Sequence, residues 1–148
     1  MRPHPGRLDF SAYPFKIEIQ PRFADVDPQW HLNNVRIVEL YQEARISFNL
    51  ALWQGPDLDA RSRRLVVARQ SIDYLGEVQW PGAVAIGVGV SHTGNASYSL
   101  GLAMFQNGKC VGVSDAVLVY TSEQGSVPIP ELVREVLAAK MLPQELRT

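Results

Sequence analysis

Residues 23–34 read FADVDPQWHLNN, and residues 35–53 read VRIVELYQEARISFNLALW. A polar corner holding two acids, a histidine and two asparagines runs straight into an apolar stretch. In that stretch Ile37, Leu40, Tyr41, Ala44, Phe48, Ala51 and Leu52 recur at helical spacing, while Arg36, Glu39, Gln42, Glu43 and Asn49 supply the polar positions. The pattern predicts a helix from about Val35 to Trp53, stopped by Gly55-Pro56. The corner itself admits two readings. Asp25, Asp27 and the asparagines can simply satisfy a turn and cap the helix. They can also be chemical, because the first amides of a helix lack intrahelical partners and carry partial positive charge, which suits an anion or a polarised carbonyl oxygen. Residue types alone leave both open.

Outward from the corner the period changes to two. FKIEIQPRF, residues 15–23, puts Phe15, Ile17 and Ile19 on one side and Lys16, Glu18 and Gln20 on the other, with Pro21 marking an edge or a bend. After Leu65 the alternation is of large against small. Val84, Ile86, Val88 and Val90 oppose Ala85, Gly87 and Gly89. Tyr98, Leu100, Leu102 and Met104 oppose Ser97, Ser99, Gly101 and Ala103. Val111, Val113, Val117 and Val119 oppose Gly112, Ser114 and Ala116. This predicts an antiparallel sheet covered on a single face. Thr93-Gly94-Asn95 and Asn107-Gly108 read as hairpin turns. ELVREVLAAKML, after Pro128 and Pro130, reads as a short terminal helix. The economical packing of one long helix and five or six strands wraps the sheet around the helix, an α+β arrangement whose exposed edge invites association.

The whole chain bounds the function. Its 148 residues suit one compact domain, expected over 15–148, preceded by a flexible arm over 1–14 that holds most of the early Pro, Gly and Arg. With 14 basic and 15 acidic residues and a net charge of −1, no electrostatic footprint for nucleic acid is present. No apolar run reaches the length of a bilayer span, and MRPHPGRLDF does not read as a secretion signal. The single cysteine, Cys110, excludes an internal disulfide and fits a reducing compartment, so a cytoplasmic protein is expected.

The stretch RFADVDPQWHLNNVRIVELYQEAR resembles the helix-entry signature of the 4-hydroxybenzoyl-CoA thioesterase-like branch of the hotdog superfamily, Tyr/Phe-x-Asp-x-Asp-x-x-Gly-His-Val-Asn-Asn. RQSIDYLGEVQWPGAV and the segment from SHTGNASYSLGLAMFQNGKC to VPIPELV are similar to that family's strand series and closing region, so the resemblance runs from Phe15 to about Ala138. It implies a hotdog fold, homodimers (which can pair into tetramers) joined by their sheets, and active sites at the subunit interface. It implies hydrolysis of an acyl-CoA or acyl carrier protein thioester without a cofactor. By the same resemblance Asp27 is the base or nucleophile, the backbone amide at or near Asn34 the oxyanion donor, and His31 a catalytic or supporting group. Trp30 and Asn33 become pocket residues, and Trp30 departs from the family, whose residue before the histidine is usually Gly or Gln. Leu32 replaces the usual Val, and Ile37 stands where many relatives have Tyr.

The chemistry is coherent on its own terms. An aspartate, with an ordinary pKa of roughly 4, is ionised at neutral pH and needs placement more than tuning. Among the remaining candidates, Asp25 reads as a turn closer. Asp115 sits in a large-residue slot and requires a hydrogen-bonding partner. Glu39 and Glu43 fall on the helix's polar flank, and Cys110, His92 and His4 default to structural or solvent roles. Asp25, Asp27 and His31 lack further ligands for a metal, so none is expected. Arg61, Arg63, Arg64, Arg69 and Lys109 could meet coenzyme A phosphates, but nothing singles one out. Two rivals remain, a hydratase or dehydratase of the same fold and a non-catalytic acyl-binding module.

Overall fold

The computed structural model describes residues 2–53 and 64–147. Helix α1 (Asn34–Leu52) begins where the polar corner ends, because Asn33 caps it: its Oδ1 accepts the Val35 amide at 2.8 Å. Ile37, Leu40, Tyr41, Ala44, Phe48 and Leu52 of its apolar stripe are buried, as the spacing predicts. Ala51, by contrast, is exposed, and Asn49, expected at a polar position, is buried with its Oδ1 accepting the Tyr98 hydroxyl at 2.6 Å. The predicted stop at Gly55-Pro56 lies outside the described residues.

Among the described residues there are six strands: β1 (Phe15–Ile19), β2 (Leu65–Tyr74), β3 (Val84–Thr93), β4 (Ser97–Gln106), β5 (Lys109–Ser122) and the two-residue β6 (Gly125–Ser126). They form one antiparallel sheet in the order β1-β3-β4-β5-β2, with β6 paired to the end of β5. The sheet curls around α1, and α2 (Glu131–Ala138) closes one end of the core through Val133 and Leu137. This is the hotdog arrangement. Asn107 and Gly108 turn β4 into β5 with φ of 52° and 74°, the left-handed pair a two-residue hairpin needs. Val84, Ile86, Val88 and Val90 on β3, and Tyr98, Leu100, Leu102 and Met104 on β4, all face the helix. Edge-on contact of Phe15 with Phe48, at 5.5 Å between ring centroids, fixes β1 against α1.

Two features of the sheet differ from the sequence expectation. The first is the facing of β5. A bulge at Val111, where Met104 pairs Gly112 and Phe105 pairs Cys110, resets the alternation. Beyond it Ala116, Leu118 and Tyr120 point to the helix, while Val113 joins the cluster on the outer face. Asp115 therefore faces outward rather than inward, and its partner is Arg7 at 3.0 Å.

The second difference is that the sheet is covered on both faces. Residues 1–14 were expected to form a loose arm. Their described part folds into two short 3-10 turns (Pro5–Leu8 and Phe10–Ala12) and crosses the outer face, burying Arg7 and Tyr13. The small residues on that face are the reason. A Cβ at Gly87 would lie 2.4 Å from the Tyr13 ring, and one at Gly89 2.5 Å from Leu142 of the C-terminal segment. The glycines form a trough that arm and tail fill. Arg7 is satisfied there by the Tyr13 hydroxyl, Asp115 and the carbonyls of Leu102 and Ser114.

Candidate active site

Asp25 and Asp27, two residues apart, do different work. Asp25 is 4% exposed. Its carboxylate accepts the Arg22 amide at 2.8 Å and the Arg22 guanidinium at 2.9 Å, and Arg36 of α1 lies 3.1 Å away. Burial pushes this carboxyl upward, but the hydrogen bonds from Arg22 and Arg36 outweigh it and hold the group below the usual carboxylate range. The Asp25 carbonyl also accepts the Asn33 amide at 2.9 Å, so the residue ties the corner to the helix start. Asp25 is structural.

Asp27 closes the next turn. Its Oδ1 accepts the Gln29 amide at 2.8 Å and the His31 amide at 3.4 Å, while its own amide donates to the His31 carbonyl at 2.9 Å. Its other oxygen, Oδ2, has no hydrogen bond from a described residue. The Leu32 amide donates to the Val78 carbonyl at 3.0 Å, and His31 bridges Gln79, stitching the turn to the segment between β2 and β3. That segment is held from behind by Gln106, whose amide group exchanges two 2.8 Å bonds with the Gln79 backbone. A cleft of about 530 Å³ lies between corner and sheet. Asp27, His31 and Asn34 line it on the corner side, and Tyr74, Leu75, Gly76 and Glu77 line it on the sheet side. Ile37, Tyr41, Met104, Val111 and Gly112 complete its inner wall.

The structure thus brings Asp27, His31 and Asn34 to one cavity. The Asn34 amide has no acceptor among the described residues, as expected at a helix start. The other two pocket candidates stand apart. Trp30 is 67% exposed, with φ of 68°, and turns its indole to a shallow hollow beside Phe23, outside the cleft. Asn33 spends its side chain on the helix cap and does not line the cleft. Glu39 pairs with Arg36 at 2.8 Å on the polar flank, and Arg36 reaches toward Glu43 at 3.9 Å. Arg64, Arg69 and Lys109 do not line the cleft. Arg61 and Arg63 lie outside the described residues.

Sequence reasoning missed two groups here. Glu77, whose Oε2 is 3.3 Å from His31 Nε2, comes from an aperiodic segment that gives no spacing signal. Tyr41 lines the cleft and carries a hydroxyl, but reads in sequence as one more apolar position of the stripe. Among the described residues no three His, Cys, Asp or Glu side chains are grouped to hold a metal ion. No helix among them is long and apolar enough to cross a membrane.

Residues 21–137 match the family model of the thioesterase-like superfamily, a span that holds the corner, α1, the cleft and β2 to β6. The chain belongs to the thioesterase-like superfamily. By that membership this chain is an enzyme, a thioesterase. Among similar solved structures is a protein of Bacillus stearothermophilus described as a predicted thioesterase, at 26% identity and a TM-score of 0.78, covering 87% of this chain and 98% of that one. Another is a Thermus thermophilus thioesterase complexed with coenzyme A and Zn, at 29% identity and 0.76, covering 86% and 94%. A 1,4-dihydroxy-2-naphthoyl-CoA thioesterase from Synechocystis, at 14% identity and 0.72 with 84% and 95% covered, shares the fold. No curated protein matches this thioesterase in sequence.

Proposed function

We propose that the protein hydrolyses an acyl-CoA thioester, with Asp27 as base or nucleophile and the Asn34 amide as oxyanion donor. The observation that carries this reading is that one cleft is lined by both Asp27, whose Oδ2 has no hydrogen bond from a described residue, and Asn34, whose helix-start amide has no acceptor among them. Thioester hydrolysis needs these two groups about one carbonyl carbon. As a base, Asp27 takes a proton from water while the water oxygen bonds to that carbon. The C–S bond then breaks, and the thiolate leaves and is protonated. As a nucleophile, Asp27 Oδ2 bonds to the carbon first, and water then cleaves the mixed anhydride. Either course consumes one water and releases a carboxylic acid and a free thiol. The oxyanion donor contributes about 3 kcal/mol to such a reaction, comparable with the base itself. His31, held toward Glu77, is read as a polar support for the reacting groups.

The FADVDPQWHLNN entry supports placing the chain in the 4-hydroxybenzoyl-CoA thioesterase-like branch. The coenzyme A complex of the Thermus relative supports a coenzyme A carrier, and an acyl carrier protein presents the same phosphopantetheine arm. We read the protein as a homodimer joined along β2, with tetramers as pairs of such dimers. β2 is a ten-residue edge strand on which Val66, Val67 and Tyr74 are 48%, 45% and 51% exposed. Tyr74 and Ile72 of the same strand line the cleft, so a second copy there would raise a wall beside Asp27. The cytoplasm is the compartment that a lone, half-buried Cys110 fits.

A thiol-release screen over short, long, branched and aromatic acyl-CoAs and acyl carrier protein thioesters tests the activity, with an enoyl-CoA hydration assay beside it. Thiol release from at least one acyl-CoA is expected. Hydration without thiol release, or tight acyl-CoA binding with neither reaction, refutes the reading.

A further inference from the structure

The cleft contains a polar group that thioester hydrolysis does not use. Tyr41 stands on α1 two turns beyond Asn34, on the stripe that also turns Ile37 toward the cleft. It is 1% exposed, and its hydroxyl forms no hydrogen bond with any described residue. Burial pushes its ionisation upward, so the phenol is a neutral donor at any working pH. Opposite it lies Gly112 of β5, where a Cβ would stand 2.8 Å from the hydroxyl oxygen. The sheet thus keeps its smallest residue where any other would collide with that oxygen. A phenylalanine at position 41 would pack the same core without stranding a donor, and buried donors are normally paired. The neighbouring lining, Ile37, Met104 and Val111, offers no oxygen or nitrogen side-chain acceptor, only the weakly accepting Met104 thioether.

We propose that Tyr41 is a specificity-determining residue whose hydroxyl donates to an oxygen carried by the acyl group, so that the cleft selects hydroxy- or oxo-acyl thioesters over the all-carbon chain of equal length. The placement of the acyl group rests on the thioesterase reading above. Seven residues separate Asn34 from Tyr41, roughly 10 Å of helix, and helical side chains lean back toward the N-terminus. The hydroxyl therefore addresses the body of the acyl group and not the coenzyme arm. Met104, unbranched and flexible, is the lining side chain best able to shift and admit the ligand oxygen.

The test compares octanoyl-CoA with hydroxyoctanoyl-CoAs substituted along the chain, and benzoyl-CoA with hydroxybenzoyl-CoAs, in wild type and Tyr41→Phe. Thiol release gives kcat/KM, and calorimetry with the matching non-hydrolysable thioethers gives affinity. In wild type at least one oxygenated member should exceed its parent by roughly tenfold in both. Tyr41→Phe should bring that ratio near unity, the oxygenated ligand weakening and the parent improving, with no loss of thermal stability. Gly112→Ala, which crowds the hydroxyl, should lower the same ratio. No oxygenated preference in wild type, or a ratio that Tyr41→Phe leaves intact, overturns the proposal. Thioether discrimination without any thiol release would refute hydrolysis and leave Tyr41 standing. Thiol release without discrimination would do the reverse.

Discussion

Asparagine at position 27 separates the two tasks of the native side chain. An amide oxygen in place of Oδ1 can still accept the Gln29 and His31 amides, now 2.8 and 3.4 Å away, so the turn that carries His31 is kept. Hydrogen bonds to a charged acceptor contribute about 1.5–3 kcal/mol and neutral ones about 0.5–1.5, so Asp27→Asn should lose about 1 kcal/mol of stability. For a chain of this size that lowers Tm by about 3 °C. The chemistry suffers far more. Without a carboxylate there is neither base nor nucleophile, and kcat/KM should fall by roughly 10² to 10⁴, equivalent to about 3–5 kcal/mol of barrier. Asp27→Ala should be as inactive but less stable by about 2 kcal/mol, since it also forfeits the turn. Thiol release on the best acyl-CoA, with melting followed by circular dichroism on the same samples, reads both effects. A folded Asp27→Asn protein retaining more than roughly a tenth of wild-type kcat/KM would refute the argument.

Three further perturbations follow from the described contacts. The folded Asp25 carboxyl binds protons more weakly than the unfolded one, so the unfolded chain takes up more protons in acid. That stabilisation is complete above the ordinary carboxylate pKa of roughly 4 and is lost as pH falls through the lower folded value. Asp25→Asn should therefore flatten the acid limb of a Tm-against-pH curve, and an unchanged limb would contradict the assignment. Gly87→Ala places a Cβ 2.4 Å from the Tyr13 ring and should cost about 1–3 kcal/mol, with faster proteolysis within residues 1–14 as the arm lifts. Asn33→Ala removes the cap on Val35 and should cost about 1 kcal/mol in denaturant unfolding, while Asn33→Asp keeps it.

Much of the architecture was legible because local patterns agreed with the global packing. The stripe from Ile37 to Leu52 fixed α1, the alternation from Val84 to Met104 fixed β3 and β4, and Asn107-Gly108 fixed the turn into β5. What escaped depended on contacts between distant parts of the chain. A bulge at Val111 shifts parity by one residue, and no local composition announces it, so Val113 and Asp115 were read onto the wrong face. Arg7 and Tyr13 look like solvated arm residues in sequence because their partners, Asp115 and the glycine trough, come from distant strands of the sheet. Within the site, Asp27, His31 and Asn34 come from one contiguous motif and were nameable together. Glu77 reaches the cleft only through folding, and Tyr41, although on the predicted stripe, shows its unpaired hydroxyl only in the packed core.

The glycine trough carries a consequence for how copies of this chain can be stacked. Two sheets lie back to back when their facing side chains interlock at a spacing of roughly 10 Å. Here the seam is already taken, because Tyr13, Arg7 and Leu142 occupy the hollows over Gly87, Gly89 and Gly101 that a neighbour's side chains would need. A flat dorsal mate would first have to peel off the segments carrying Tyr13 and Leu142 and strand the buried Arg7 guanidinium. Growth of any higher assembly is thereby steered away from that back and toward the strand margins.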